Sequence, residues 1–247
     1  MKKHSFSIVC LFIFILLPSC SMKQEIYIEK TGSGRVEFTL SLADYLSDVI
    51  SQVVTLLEPD AKMKDKQKSL FDLEAIEKDF KSRKGIGLIG LESRDNQNLS
   101  GEFTFTDINM LLQDVNAAQA LNTKNQLIKM EKKDGITELT VRITRETVND
   151  ILAENPSLNN PLVANFGPSA SEGLTDEEYL DMMEFVLGEQ SREGIQLSSL
   201  ELVIHVEGSI IDQKGGRLAD KNTVVYRIPM LPVLMLKKPL EYSLRYR

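Results

Sequence analysis

The stretch Arg35-Val36-Glu37-Phe38-Thr39-Leu40-Ser41-Leu42 decides the fold class of this 247-residue chain. Apolar and polar side chains alternate along it from Val36 to Leu42 without a break. Because successive side chains of a β-strand point to opposite faces, this alternation predicts a strand with one buried face and one face in water. Burial on one face favours an antiparallel sheet over a doubly wound parallel sheet, whose strands are buried on both faces.

The same alternation recurs in four later segments. Their apolar members are Phe103 and Phe105; Leu139, Val141 and Ile143; Leu200, Leu202, Ile204 and Val206; and Val224, Tyr226 and Ile228. Each of these segments predicts a further strand of antiparallel sheet.

Apolar residues at helical spacing occupy the intervals between the strands. They predict helices over residues 43–57, 66–84, 109–121 and 145–153. Pro59 ends the first of these helices and Gly85 ends the second. Thr175 and Glu178 form the pattern of a capping box, which predicts a further helix from that point. The sequence therefore predicts an α+β fold, in which antiparallel sheets pack against several amphipathic helices.

A long polar segment, residues 155–173, interrupts this pattern with prolines, asparagines and serines. Structureless segments of this length are uncommon inside a compact domain and are usually functional or disordered. Leu162, Val163 and Phe166 are apolar, as expected of a segment that folds over an apolar surface. Three interpretations stay open: a lid over a site, a linker between domains, and a surface loop.

The first twenty residues have the pattern of an export signal. Lys2 and Lys3 precede a ten-residue apolar run, residues 8–17, and Leu17-Pro18-Ser19-Cys20 completes the segment. A membrane-spanning helix needs ~20 apolar residues, so a run of half that length favours a cleaved signal. The segment resembles a bacterial lipoprotein signal, which predicts Cys20 as the lipid attachment residue. An ordinary signal peptide and an uncleaved anchor are the alternatives.

This interpretation divides the chain into three parts. Residues 1–19 are the signal peptide, residues 20–24 a lipidated tether, and residues 25–247 a single α+β domain with a possible subdivision near residues 155–173. Removal of residues 1–19 from the 247-residue chain leaves 228 residues. A chain of that length buries roughly 70% of its unfolded surface, which is enough for a sizeable core.

Charge and cysteine content exclude several classes of function. Loss of Lys2 and Lys3 changes the formal net charge from −7 to about −9, and such a surface repels nucleic acid. Cys10 lies in the signal, and Cys20 is expected to carry acyl chains such as palmitate. The mature chain then has no free thiol, which excludes a disulfide, a cysteine nucleophile, a thiolate zinc site and an iron–sulfur cluster.

One glycine motif matches the spacing of the dinucleotide-binding fingerprint, namely Gly85-Ile86-Gly87-Leu88-Ile89-Gly90. That fingerprint requires a strand before it and a helix after it. Here a charged helical segment precedes the glycines and turn-like residues 92–96 follow them. We therefore expect the glycines to end a helix and loosen a strand. Gly32-Ser33-Gly34 lacks the lysine of a phosphate-binding loop and is expected to form a turn.

The polar residues give no pattern of a catalytic or metal site. His205 is the only histidine outside the signal and shares its strand face with Glu201 and Glu207, which indicates a solvated strand residue. The carboxylates of residues 176–178 suit the positive end of a helix, and residues 212–220 lack calcium-loop spacing. The sequence therefore predicts no catalytic residue, no cofactor and no metal, although a hydrolase that uses two carboxylates stays open.

Two apolar segments could instead bind a ligand. The helix over residues 43–57 is apolar around more than half of its circumference, and residues 230–236 are almost continuously apolar. Core packing explains both segments, and an apolar strand buried on both faces has the same appearance as residues 230–236. The functional interpretation is a cavity for an acyl chain, since flexible Met and Leu side chains suit adaptable ligands. Neither segment is long enough to span a membrane.

Three parts of the sequence together resemble the LppM-like envelope lipoprotein domain. They are the signal, the extended residues 26–42 with Gly32-Ser33-Gly34, and residues 87–107 with Gly101-Glu102-Phe103-Thr104-Phe105. The resemblance covers about the first half of the mature chain and assigns no functional residue. It implies an α/β lipoprotein domain associated with envelope lipids. This chain lacks the C-terminal transmembrane helix of many such proteins, so anchoring is expected to rest on Cys20 alone.

Together these patterns predict a lipoprotein of the bacterial cell envelope, anchored on the periplasmic side or at the cell surface. Its expected partners are a membrane, through the N-terminal lipid, and a lipid or other apolar envelope ligand, which it binds without catalysis. The alternative is a structural or interaction lipoprotein that docks a protein partner through its apolar segments. A closed apolar cavity favours the first interpretation and an exposed apolar patch the second.

Overall fold

Two β-sheets form the framework of the protein in a computed structural model that describes residues 20–44, 71–95, 97–111, 127–154 and 167–247. The strands in chain order are β1 (Cys20–Ile28), β2 (Gly34–Leu42), β3 (Ile86–Glu92), β4 (Asn98–Phe105), β5 (Ile128–Lys133), β6 (Ile136–Ile143), β7 (Ser199–Val206), β8 (Ile210–Lys214), β9 (Arg217–Asp220), β10 (Thr223–Pro229) and β11 (Leu240–Tyr246). A seven-stranded sheet has the order β3-β4-β2-β1-β7-β10-β9, and a four-stranded sheet has the order β5-β6-β11-β8.

Helices connect and cover the sheets. Within the described residues they include α1 (Leu73–Ser82), α2 (Arg145–Glu154), α3 (Asp176–Leu187), α4 (Gln190–Leu197) and α5 (Met230–Met235). At the start of α3, the Thr175 side chain accepts from the Glu178 amide while the Glu178 carboxylate accepts from the Thr175 amide, which confirms the capping box. The two sheets, with helices between their strands in the chain, confirm the predicted α+β fold.

Every pairing within the described sheets is antiparallel except that of β1 with β7. In this parallel pair Met22 lies beside Leu200 and Ile28 beside Val206. The sequence favours antiparallel sheet, and this one pairing departs from that pattern. A parallel neighbour requires a crossover connection, and here residues 29–198 separate the two strands. Alternation within one strand does not report such a distant partner.

The start of the large sheet corrects one boundary of the sequence analysis. Residues 20–24, expected as a tether, belong to β1 and pair residue by residue with β2, from Cys20 opposite Leu42 to Gln24 opposite Phe38. Met22 is buried in the core with 4% exposure. Because a buried apolar side chain and ladder hydrogen bonds hold this segment, residues 20–24 are part of the folded sheet.

The apolar residues 230–236 form helix α5 and its C-terminal turn. Pro229 precedes the helix, and Leu236 ends it in the left-handed region with φ 42°. The carbonyl oxygen of Met235 accepts from Arg145 at 3.0 Å and from Ser171 at 3.3 Å, which satisfies a free carbonyl at the helix end. A continuous apolar run does not distinguish a short helix from a strand, and its tertiary contacts decide the outcome here.

Two apolar clusters fill the interior. The first lies between the inner faces of the sheets and includes Val36, Phe38, Ile204 and Leu244. The second surrounds α3, α4 and α5 and includes Tyr179, Met183, Ile195, Leu234 and Met235. Leu200 and Tyr242 pack against both clusters, so the clusters are continuous through these side chains.

Several sequence predictions lie wholly or partly outside the described residues. These are most of the predicted helix over residues 43–57, residues 66–70 of the second predicted helix, residues 112–121 of the third and residues 155–166 of the polar segment. Of the described remainder, α1 ends at Ser82, shortly before Gly85, and α2 confirms the helix that the pattern of residues 145–153 predicts.

Candidate functional site

An apolar cavity lies between the inner faces of the two sheets. From the large sheet, β1 and β7 contribute a wall of alternating residues, which includes Ile26, Leu200 and Leu202. From the small sheet, β5, β6 and β11 contribute the opposite wall, which includes Ile128, Leu139, Val141 and Tyr242. These side chains are only half-buried although they point inward. Their free surface faces the cavity, because the two walls do not close upon each other completely.

Helices complete the lining of the cavity. Phe80 of α1 and Val233 of α5 both contact it, as do Ile108 and Leu111 after β4. Phe80 also packs against Phe103 of β4, with ring centroids 5.1 Å apart. The apolar face of α1 therefore serves both the core and the cavity wall.

The cavity volume of about 170 Å³ limits what can enter. An engineered apolar cavity of ~150 Å³ takes up benzene, whereas pockets for drug-sized ligands measure roughly 300–1,000 Å³. The cavity therefore suits a ligand, or one end of a ligand, of about six to eight non-hydrogen atoms. A whole diacyl lipid exceeds this volume, but a segment of an acyl chain does not.

The described lining residues carry no charge at neutral pH. Their titratable groups are the phenols of Tyr226 and Tyr242. Burial, assisted by the negative charge of Asp212, raises the pKa of Tyr226 to about 12, and burial also raises the pKa of Tyr242. The Tyr226 hydroxyl donates a 2.6 Å hydrogen bond to the main-chain oxygen of Ser243. The lining therefore favours apolar groups over ions.

Gln24 is a polar side chain on the inner face of β1, between Met22 and Ile26 along the strand. The sequence analysis missed this residue. The available signal was the alternation of residues 22–28, where Gln24 occupies a position that the pattern assigns to an apolar side chain.

His205 lies on the outer face of the large sheet, opposite the cavity. Its ring stacks on Tyr27 with centroids 4.4 Å apart, and its Nδ1 atom is 3.1 Å from the Thr223 hydroxyl. Its Nε2 atom is 3.6 Å from a Glu25 oxygen. The side chain is 29% exposed and is therefore packed against neighbouring strands, more than the solvated position that the sequence predicted. Its partners come from β1 and β10, which the alternation within β7 does not reveal.

An open depression of about 540 Å³ lies on the outer face across β1, β2, β4 and β3. Its lining includes Lys23, Glu37, Glu92 and Glu102. Lys23 pairs with Glu25 at 2.5 Å, and its hydrogen bond lowers the pKa of that carboxyl group. Exposed ion pairs of this kind contribute little to stability, and the depression is a solvated charged surface.

The glycine motif has the structural role that the sequence predicts. Gly85 follows α1 with φ +77°, and Gly87 and Gly90 lie within β3. β3 pairs with β4, with an irregularity between Leu88 and Gly90. Because a strand follows Gly85 where the fingerprint requires a helix, these glycines do not form the dinucleotide-binding turn.

The remaining acidic residues lie at a helix N-terminus, in ion pairs or in strands β8 and β9. Asp176, Glu177 and Glu178 lie in the first turn of α3, as predicted, and Asp176 also pairs with Lys237 at 2.7 Å. Arg192 of α4 contacts three carboxylates of α3, those of Glu177, Asp181 and Glu184. Residues 212–220 form the end of β8, the turn at Gly215 and β9. In the described part of the chain, no three His, Cys, Asp or Glu side chains cluster as metal ligands.

The predicted lipid attachment residue, Cys20, is the first residue of β1, opposite Leu42. None of the helices in the described ranges is both long and apolar enough to cross a membrane.

No protein-family profile matches the chain, and no curated protein sequence matches it. Among solved structures, the chain is similar to the folded domain of the LppM protein of Mycobacterium tuberculosis, determined by NMR. The TM-score is 0.39 at 10% sequence identity, and the alignment covers 93% of this chain and 90% of that chain.

Proposed function

We propose that this protein is an envelope lipoprotein, anchored by acylated Cys20, whose domain binds an apolar ligand without catalysing a reaction. The observation that carries the proposal is the uncharged cavity between the two sheets. Apolar ligand sites are concave and lined mainly by hydrophobic side chains with a few polar groups, as this cavity is.

The signal pattern and the position of Cys20 support the anchored part of the proposal. Cys20 is the first residue of β1, so an acyl group on this residue would hold the sheet directly at the membrane surface. Two or more acyl chains give stable anchoring where one gives only reversible binding. The proposed location is the bacterial cell envelope, on the periplasmic side or at the cell surface.

The cavity size sets the expected affinity. Burial of six to eight methylene groups at ~0.8 kcal/mol each contributes roughly 5–6 kcal/mol before the costs of association. Taken alone, such a contribution corresponds to dissociation constants of roughly 0.2 mM to 40 μM, and the costs of association make the binding weaker than this. The ligand is therefore an acyl-chain segment or a compact apolar molecule that is abundant in, or delivered from, the nearby membrane.

The arrangement of side chains supports binding without catalysis. His205 is on the sheet face opposite the cavity, and the described lining residues include no carboxylate, amine or imidazole. Such a lining offers neither a general base near neutral pH nor an activated nucleophile.

The experiment that tests this function compares uptake of envelope lipid by the mature chain, residues 20–247 with Cys20→Ser, and by two tryptophan variants. Native mass spectrometry after exposure to an envelope lipid extract should show acyl-chain adducts. Leu202→Trp fills the cavity and should abolish the adducts. Ile211→Trp adds the same ring at an exposed position, 44% accessible, and should leave them unchanged.

His205→Ala should also leave uptake unchanged, because the imidazole does not reach the cavity. Absence of adducts on the parent chain would overturn the binding proposal. A turnover that disappears in His205→Ala would overturn the statement that no reaction is catalysed.

One observation favours the alternative function of docking a protein partner. Phe185 on α3 is 91% exposed, and Val186 beside it is 50% exposed. Under this alternative, Phe185→Ser would reduce capture of an envelope protein in crosslinking experiments, while Leu202→Trp would have no effect on it.

A further inference from the structure

Gln24 occupies an apolar environment on the inner face of β1. Across the sheet its neighbours are Phe38 of β2 and Leu202 of β7. Along the strand, Met22 precedes it and Ile26 follows it on the same face. A glutamine in this position places a primary amide, with two N–H donors and one carbonyl acceptor, on a wall of hydrocarbon side chains.

The hydrogen bonding of this amide is incomplete. Its Nε2 atom donates to the Met22 sulfur at 3.8 Å, and a thioether is a weak acceptor. Within the described part of the chain, the Gln24 carbonyl oxygen accepts no hydrogen bond from a protein donor. Gln24 is half-buried, and a ligand that displaces water from its amide must replace the lost hydrogen bonds, because a polar group left without a partner is unfavourable. The amide lines the cavity, so the cavity is where a partner could reach it.

The chemistry of the cavity restricts the nature of that partner. No cationic side chain is among the described lining residues, so a carboxylate or phosphate would enter without a counter-charge. The Tyr226 hydroxyl already donates to Ser243. The Tyr242 hydroxyl also lines the cavity, but the Gln24 amide offers two N–H donors beside a carbonyl acceptor and can both donate to and accept from an uncharged group such as a hydroxyl, an ester or an amide.

From this placement we propose that Gln24 recognises an uncharged polar group of the ligand, whose aliphatic part fills the apolar cavity. This inference rests on the proposed function and names its ligand class: compact aliphatic alcohols, esters or amides, or an acyl chain that carries such a group. Gln24 is a specificity-determining residue in this proposal. The apolar walls supply the binding free energy, and the amide selects among ligands of equal length.

The test uses three probes with the same carbon chain: n-hexane, 1-hexanol and hexanoate at pH 7. Dissociation constants are measured by NMR titration with the mature chain carrying Cys20→Ser, and with Gln24→Met, which keeps the side-chain length and removes the amide. Without the amide, the buried hydroxyl of 1-hexanol loses its partner. The hexanol-to-hexane ratio of dissociation constants should therefore rise at least about fivefold in Gln24→Met, as expected for the loss of one hydrogen bond.

Lys23→Met is the matched control. It makes a comparable replacement at the adjacent residue, whose side chain lies on the outer face and pairs with Glu25. This variant should leave the ratio unchanged. Hexanoate should bind more weakly than 1-hexanol to the parent chain, because its charge is desolvated without a cation.

A second measurement uses the parent chain alone and locates bound 1-hexanol relative to Gln24. Nuclear Overhauser contacts should link the side-chain amide protons of Gln24 to the C1 protons of bound 1-hexanol. Binding of hexane and hexanol without these contacts, or with an unchanged ratio in Gln24→Met, overturns the role of Gln24 and leaves the proposed function standing. Hexanoate binding as tight as that of hexanol overturns the uncharged ligand class. Failure of all three probes to bind overturns the proposed function itself.

Discussion

The hydroxyl of Tyr226 and the main-chain oxygen of Ser243 lie 2.6 Å apart and join the two sheets by a hydrogen bond. Tyr226 belongs to β10 of the large sheet and Ser243 to β11 of the small sheet. The Tyr226 ring also meets Tyr242 edge-on, with centroids 5.6 Å apart. Both tyrosines line the cavity, so this contact holds its two walls at their observed separation.

Removal of this hydrogen bond should destabilise the domain. Tyr226→Phe is expected to lower the free energy of unfolding by about 1 kcal/mol, the typical net contribution of an intramolecular hydrogen bond. Tyr242→Phe is the matched control, because no protein partner of its hydroxyl occurs among the described residues, and it should change stability less. Urea denaturation followed by circular dichroism measures both. Equal losses in the two variants would contradict the role of the inter-sheet bond.

The raised tyrosine pKa values predict a loss of stability in alkali. Burial raises the pKa of Tyr226 from 10.0 to about 12, and it also raises the pKa values of Tyr179, Tyr242 and Tyr246. Because the folded state favours the neutral phenol, this contribution is complete below pH 10 and is lost as the pH rises through about 12. Unfolding curves between pH 9 and 12 should show this decrease, and Tyr226→Phe should show a smaller one. Parallel pH profiles for the two proteins would rule out Tyr226 as a contributor.

Two glycines of the large sheet should differ sharply in their tolerance of a methyl group. A Cβ atom at Gly34 would overlap the carbonyl oxygen of Tyr27 and meet the Phe105 ring at 2.6 Å, whereas one at Gly90 would meet nothing within 4 Å. Gly34→Ala is therefore expected to cost about 3 kcal/mol or more, because the backbone of β1 must move. Gly90→Ala should remain within about 1 kcal/mol of the parent. Thermal unfolding distinguishes the two, and comparable melting temperatures would contradict the close approach at Gly34.

Lipid attachment at Cys20 predicts a specific change in fractionation. Cys20→Ala should move the protein from the membrane fraction to the soluble fraction and abolish incorporation of labelled palmitate. Cys10→Ala changes a residue of the predicted signal and should do neither. Each buried methylene of an acyl chain contributes ~0.8 kcal/mol to membrane binding, so loss of the chains removes the anchor. Retention of Cys20→Ala in the membrane fraction would show that another segment binds the membrane.

The strands and the α3 cap could be predicted because their signals are local. In β2, the alternation from Val36 to Leu42 places every second side chain in the core, and the structure buries each of these residues. The capping box of Thr175 and Glu178 is likewise complete within four residues. In each case the side-chain period or the capping hydrogen bond arises from neighbours in sequence.

The candidate site required the tertiary structure. The sequence suggested a cavity, but it did not reveal which segments would form its walls, and it did not single out Gln24. The lining combines strands β1 and β7, far apart in sequence, with β5, β6 and β11 of a second sheet. Gln24 becomes a candidate only when Phe38 and Leu202 lie on either side of it.

Along the five strands whose alternation it shows, the sequence by itself determined which side chains point inward, because that choice follows from the two-residue period of the backbone. Only the tertiary structure decided the parallel pairing of β1 with β7, the helical form of residues 230–235 and the gap between the sheets. These features depend on the packing of segments distant in the chain. An apolar side chain favours burial against any apolar surface, so its burial does not specify which surface it meets.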